Sequence, residues 1–164
     1  MNDEKGQLSG EYMLLVGSLI VVLMISIFMI ANENELNIAM AAAKSGADEG
    51  VALSSSAIYP KETFNEYDDM EGLKHPYSVS IVNVSYNSSG IDENYGKQKI
   101  QFKVYAKASA DYNKKELDSI GDRINYNLRK SVAMSFNTAD STNKLYNPVF
   151  SNNYVFTTAN VVWV

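Results

Sequence analysis

The 164-residue sequence contains no cysteine, only three prolines and a single histidine, His75. The absence of cysteine excludes disulfide bonds, thiolate nucleophiles and cysteine-ligated zinc sites. A glycine-rich phosphate loop is also missing, and His75 precedes a proline in a predicted loop, without a neighbour to orient it for acid–base catalysis. We therefore expect a protein that is not an enzyme and that has no metal site and no cofactor.

No strongly basic segment stands out in the sequence. The chain has fourteen lysines and arginines and nineteen aspartates and glutamates, which gives a net charge of −5. This balance argues against a nucleic-acid partner. Apolar residues make up 46% of the chain, which is enough for a packed core. We expect one compact domain beside an N-terminal targeting segment.

Residues 12–31 form a run of twenty residues without a charge. A helix of this length, at about 1.5 Å per residue, covers a hydrocarbon core of about 30 Å. Lys5 precedes the run and Glu33 and Glu35 follow it, so the positive-inside rule places the N-terminus in the cytoplasm. A secretory signal peptide has a shorter apolar region, of about 7–15 residues. The run therefore fits a membrane-spanning helix better.

The helical pattern continues beyond this span. Small and apolar residues recur at helical spacing over residues 38–52, and the first proline is Pro60. We predict one helix over residues 7–57, about 75 Å long, with Gly46 and Gly50 as candidate bends. Such a helix extends well past a bilayer, so another surface has to cover its second half.

A short polar motif stands directly before the span, after Gly6. It has the form Gln-x-Ser-x-Glu-x-x-x-Leu, and its four positions are Gln7, Ser9, Glu11 and Leu15. With the apolar helix, it resembles the class III signal peptide of archaeal type IV pilins, best known from methanogens. The resemblance covers residues 5–15 and the span. The leader departs from the family in having one basic residue where relatives often have more.

The resemblance implies a function. A prepilin peptidase removes residues 1–6 on the cytoplasmic side by cutting between Gly6 and Gln7. The precursor resides in the cytoplasmic membrane, and an assembly platform then polymerises it through its N-terminal helix (residues 7–57). The product is an extracellular surface filament used for attachment, with residues 58–164 as its outer domain.

The resemblance also implies a role for Glu11, whose carboxylate pairs with the new Gln7 ammonium of a neighbouring subunit and sets the axial register. Two alternatives remain open: the same groups are four residues apart and can pair within one helix, or Ser9 caps the helix and Glu11 complements its dipole. Gly10 and Gly17 share a face and suit close helix packing, although membrane helices tolerate glycine in any case.

The outer domain is predicted to be α+β, a small antiparallel-sheet domain with one packed helix. Alternating strands over Tyr77–Tyr86 and Lys99–Ala108 predict a hairpin, joined by a turn region over Asn87–Gly96. The inward positions of the second strand are Ile100, Phe102, Val104 and Ala106. A second hairpin is predicted from strands over Leu145–Phe150 and Tyr154–Val164.

The helix between the two hairpins is predicted over Asn113–Phe136, with Asp111 or Asn113 as its cap. Its apolar stripe consists of Leu117, Ile120, Ile124, Leu128, Val132 and Phe136. We expect this stripe to pack on the sheet or on the second half of the long helix.

Two sequons for N-glycosylation start at Asn83 and Asn87. Glycosylation is common among archaeal pilins, so the resemblance favours their use, although a chain rich in asparagine and serine also produces sequons by chance. The acidic residues Asp68, Asp69 and Glu71 fit a solvated turn better than a cation site.

Two other functions remain open. The chain fits a single-span membrane protein whose outer domain binds a partner without polymerising. It also fits a pilin-like component of a secretion or uptake system, which shares the processing but need not form long filaments.

Overall fold

The computed structural model describes residues 4–52, 78–109 and 111–164, with side chains from residue 10 onward. The predicted acidic loop over residues 59–74, His75 and the end of the predicted long helix lie outside the described residues. The contacts within the chain divide it into two compact units, Met1–Leu36 and Asn37–Val164.

A single helix, α1, runs over Glu4–Ala52 and crosses the boundary between the units. This confirms the long N-terminal helix, which begins three residues before the predicted start. In the first unit, the hydroxyls of Ser18 and Ser26 donate to the carbonyl oxygens of Leu15 and Val22, at 2.8 and 2.9 Å. Since both hydroxyls are satisfied inside the helix, they do not interrupt its apolar surface.

The second unit contains a five-stranded sheet. Its strands are β1 (Val79–Asp92), β2 (Lys97–Ala108), β3 (Val149–Phe150), β4 (Tyr154–Thr158) and β5 (Val162–Trp163). The order across the sheet is β1-β2-β4-β3, and β5 pairs with β2. The α+β class is confirmed, but the sheet is mixed rather than wholly antiparallel, because β4 and β5 run parallel to β2. A helix between β2 and β3 supplies the crossover that parallel strands require.

The first predicted hairpin forms between β1 and β2, but its turn is shorter than predicted. Residues 87–92 continue β1, and only residues 93–96 form the turn. A bulge between Ser88 and Ile91 contains Gly90 at φ +81°, a conformation that favours glycine. The predicted turn was wrong over residues 87–92 because cross-strand pairing outweighs the low strand propensity of this segment.

The second predicted hairpin forms between β3 and β4, with shorter strands. Residues before Val149 form a loop instead, in which the Asn143 side-chain oxygen accepts hydrogen bonds from the backbone N–H groups of Leu145 and Asn147, both at 3.0 Å. Beyond β4, the N–H of Ala159 donates to Phe102, and the chain resumes as β5. The predicted final strand is therefore interrupted.

A second helix, α2, runs over Lys114–Ser135 and confirms the predicted amphipathic helix. Asn113 is its cap, in a capping box with Glu116 in which both reciprocal hydrogen bonds form, at 3.0 and 2.8 Å. The central stripe residues Ile120, Ile124, Leu128 and Val132 are at most 2% exposed. They share the core with the inward face of β2 and with a stack of Phe102, Phe156 and Phe136.

The second half of α1 packs on α2 through small residues. Its buried residues are Ala39, Ala42, Ala43, Gly46, Ala47 and Gly50. A Cβ atom at Gly46 would lie 2.5 Å from the Asn127 carbonyl oxygen and 2.8 Å from Leu128 Cα, so only glycine permits this approach. The buried Arg123 donates from Nε to the Gly50 carbonyl oxygen at 2.9 Å. The two glycines therefore act at a helix crossing.

Candidate functional site

The polar motif before the span lies inside α1. Gly6, Gln7 and Ser9 are described only as helical backbone, whereas Glu11 and Leu15 are exposed, Leu15 by 65%. Because Gln7 and Glu11 both belong to the helix, they lie about one turn apart on one face. This placement allows pairing within the chain as well as pairing with another copy.

Gly10 and Gly17 differ from the two glycines of the helix crossing. A Cβ atom at either of them would have nothing within 4 Å, whereas at Gly46 it would meet backbone atoms. The close packing that small residues permit is thus used within the chain at Gly46 and Gly50. At Gly10 and Gly17 it remains open to another molecule.

The apolar part of α1 is exposed on all sides. Fifteen large apolar side chains between Tyr12 and Ile30 are 51–75% exposed. Among the described helices, α1 alone is long and apolar enough to cross a membrane. Water-soluble monomers seldom expose contiguous apolar patches above a few hundred Å². Lipid or other protein therefore has to cover this surface.

Both sequon asparagines lie on β1, an edge strand in the order given above, and both are exposed. Asn83 lies opposite Tyr105 and Asn87 opposite Gln101 on β2. These β2 residues alternate with the buried positions, so the two asparagines occupy the face of the sheet that points away from the core. Asn87 is thus a strand residue rather than the turn residue that the sequence predicted.

A cleft of about 330 Å³ lies in the second unit, lined by Lys97, Phe136, Thr138, Ser141, Phe150, Ser151 and Asn152. Its one charged side chain, Lys97, donates from Nζ to the Ser151 carbonyl oxygen and lies 5.8 Å from the Phe150 ring centroid. Within residues 4–52, 78–109 and 111–164, no group of three or more histidines and carboxylates is placed to hold a metal ion.

The shifted pKa values belong to α2. Burial raises the pKa of Asp122 above its usual range; Arg129 opposes the shift and Asp118 adds to it. Burial also raises the pKa of Tyr126, and its neighbour Tyr146, with ring centroids 5.5 Å apart, adds to that shift. Arg129 donates from Nε to the Leu145 carbonyl oxygen at 3.1 Å. Arg129 and Tyr126 therefore hold the loop before β3 against α2.

No protein-family model matches the chain, and neither a curated protein nor a solved structure is significantly similar to it. The architecture is pilin-like, with a long apolar N-terminal helix followed by a small mixed-sheet domain, and it is equally consistent with a single-span protein.

Proposed function

We propose that the chain is the precursor of an archaeal type IV pilin and that its mature form polymerises through α1. The observation that carries this proposal is the apolar surface between Tyr12 and Ile30, together with the motif that precedes it. Lipid covers that surface in the precursor, and copies of the same helix cover it in a filament. Once the helix has left the bilayer, each CH₂ buried from water contributes about 0.8 kcal/mol, so association through these side chains is strong.

Processing and export follow from the same proposal. A prepilin peptidase cuts between Gly6 and Gln7, the N-terminus faces the cytoplasm before the cut, and an assembly platform extracts the helix. The filament then stands on the cell surface and serves attachment. The role of the protein is structural rather than enzymatic.

The motif supplies the axial register of the filament. Glu11 is exposed at the start of the apolar surface, where an unpaired carboxylate in hydrocarbon costs on the order of a few kcal/mol. Cleavage creates an ammonium at Gln7, and pairing with Glu11 of the next copy offsets this cost. Gly10 and Gly17, where an added Cβ atom would meet nothing within 4 Å among the described residues, allow the neighbouring helices to approach closely.

The substitution Glu11→Gln tests this assignment. We expect normal cleavage but a loss of filaments, because the new ammonium loses its charged partner. The matched control is Glu33→Gln, which removes an exposed carboxylate at the other end of the apolar run and should leave filament yield unchanged. Immunoblotting follows cleavage, and electron microscopy of sheared material counts filaments. A normal filament yield from Glu11→Gln contradicts the register role.

A single-span membrane protein with an outer binding domain is the second candidate, because α1 is long enough to cross a bilayer in either case. That candidate requires neither the complete pattern of Gln7, Ser9, Glu11 and Leu15 nor close helix packing at Gly10 and Gly17. It predicts a mature protein that retains Met1 and remains in the membrane as separate copies.

A further inference from the structure

The outward face of β2 carries a row of cationic and neutral polar side chains, which we call the lysine face. Its members are Lys99, Gln101, Lys103, Tyr105 and Lys107. They alternate with Ile100, Phe102, Val104 and Ala106, which are at most 1% exposed on the core side. The neighbouring strand β1 adds Ser85 opposite Lys103 and the two sequon asparagines beside it.

Most of the charge on this face is uncompensated within the described residues. Lys99 lies 3.8 Å from Asp92. Lys103 and Lys107 are exposed and form no ion pair there, although the Lys103 ammonium lies 5.3 Å from the Tyr105 ring centroid. Over residues 78–164, ten basic side chains face seven acidic ones, whereas residues 1–77 carry four and twelve. The sheet and α2 are thus net basic, although the predicted outer domain as a whole, residues 58–164, has twelve basic and twelve acidic residues.

Protection against edge-to-edge aggregation does not explain these lysines. That role places lysine on edge strands. Here the edge strand β1 contains no lysine, and β2 lies between β1 and β4. The charges lie on the exposed face of a strand whose edges are already paired, so they do not serve to block pairing with another strand.

We infer that the lysine face binds an anionic polysaccharide in which carboxylates alternate with neutral sugars. Successive lysines from Lys99 to Lys107 are four residues apart, about 13 Å along the strand. The amide of Gln101 and the hydroxyl of Tyr105 lie between them and suit sugar hydroxyls. Duplex nucleic acid carries one charge per about 1.7 Å of its axis, far denser than this row. The inference names a class of surface that the attachment function would use, but binding itself does not depend on polymerisation.

Binding of the full-length protein, solubilised in detergent, to immobilised hyaluronate tests the inference. Hyaluronate alternates one carboxylate sugar with one neutral sugar, and dextran serves as the uncharged reference. The double variant Lys103→Gln/Lys107→Gln should bind about five- to tenfold more weakly, since it removes two exposed charge pairs with the polysaccharide. The variant Lys103→Arg/Lys107→Arg should retain binding. Raising the salt from about 0.05 M to about 0.5 M should weaken wild-type binding.

The matched control is Lys114→Gln/Lys115→Gln, which removes the same charge from exposed positions in the first turn of α2. It should bind within about twofold of wild type. Equal losses in the two double variants, or no loss in the first, would overturn the inference. Tighter binding of duplex DNA than of hyaluronate would overturn it too. Filaments are counted separately, so failure here leaves the polymerisation proposal intact, and the reverse also holds.

Discussion

The substitution Gly46→Ala should loosen the crossing between α1 and α2. A Cβ atom at this position would lie 2.5 Å from the Asn127 carbonyl oxygen, 2.7 Å from Ser131 Cβ and 2.8 Å from Leu128 Cα. Ordinary van der Waals contacts begin near 3.4 Å. Two of the three atoms belong to the backbone of α2 and cannot rotate away. The helices therefore have to separate by about 1 Å, which opens the packed layer between them.

Two opposing effects set the magnitude. Alanine favours a helix over glycine by about 1 kcal/mol. Overpacking of a tight contact costs about 1–3 kcal/mol, and backbone clashes lie at the upper end. We expect a net loss of about 1–2 kcal/mol in the free energy of unfolding. For a unit of this size, that corresponds to a melting temperature about 5 °C lower.

Thermal unfolding of the full-length protein in detergent, followed by tryptophan fluorescence, measures this change. Trp163 is the only tryptophan, and its ring lies 3.9 Å from where a Cβ atom at Gly121 of α2 would be, so its emission reports on the packing of β5 against α2 and hence on unfolding of this unit. The control is Ser45→Ala, an exposed neighbour, which should stay within about 0.5 kcal/mol of wild type. A melting temperature of Gly46→Ala at or above that of wild type would refute the close crossing.

Three further predictions concern the second unit. Asn113→Ala should lower the free energy of unfolding by about 1 kcal/mol through loss of the capping box, whereas Asp111→Ala should have little effect in the same thermal assay. If the sequons are used, the intact mass of native protein exceeds that of the polypeptide, and Asn83→Gln and Asn87→Gln each remove part of the excess; an unmodified mass contradicts glycosylation. Asp122→Asn should raise the melting temperature slightly at neutral pH, because partial burial raises the pKa of this carboxyl and so disfavours its charged form, while solvent at its exposed side screens the effect. That gain should shrink as the pH falls through the raised folded pKa and vanish below about 4; a gain that is independent of pH contradicts it.

Elements with a strong local pattern were predictable from the sequence. The long helix follows from the absence of proline before Pro60, and β2 and α2 follow from alternation and from the apolar stripe. The relative directions of the strands and the register between them were not predictable, because both depend on pairing partners that are distant in sequence. Residues 87–92 have turn composition but extend β1 against β2, and Tyr154 begins a strand whose parallel pairing is set by the crossover through α2.

The candidate sites also differ in how far they could be predicted from the sequence. The motif around Gln7 and Glu11 is contiguous, so it can be recognised without a fold. Alternation in the sequence already separates the two faces of β2, but only the register shows that Ser85 lies opposite Lys103 and that β1 and β4 flank this strand. Gly46 was interpreted as a bend because glycine in a sequence does not show whether another backbone approaches it.

The central claim is that α1 loses its leader and then polymerises. The most direct measurement combines electron microscopy of filaments sheared from the native cell with N-terminal sequencing and intact mass of their subunit. The account predicts filaments built of this chain, with a subunit that begins at Gln7. A native protein that still begins at Met1 and is found only as separate copies in the membrane would contradict it.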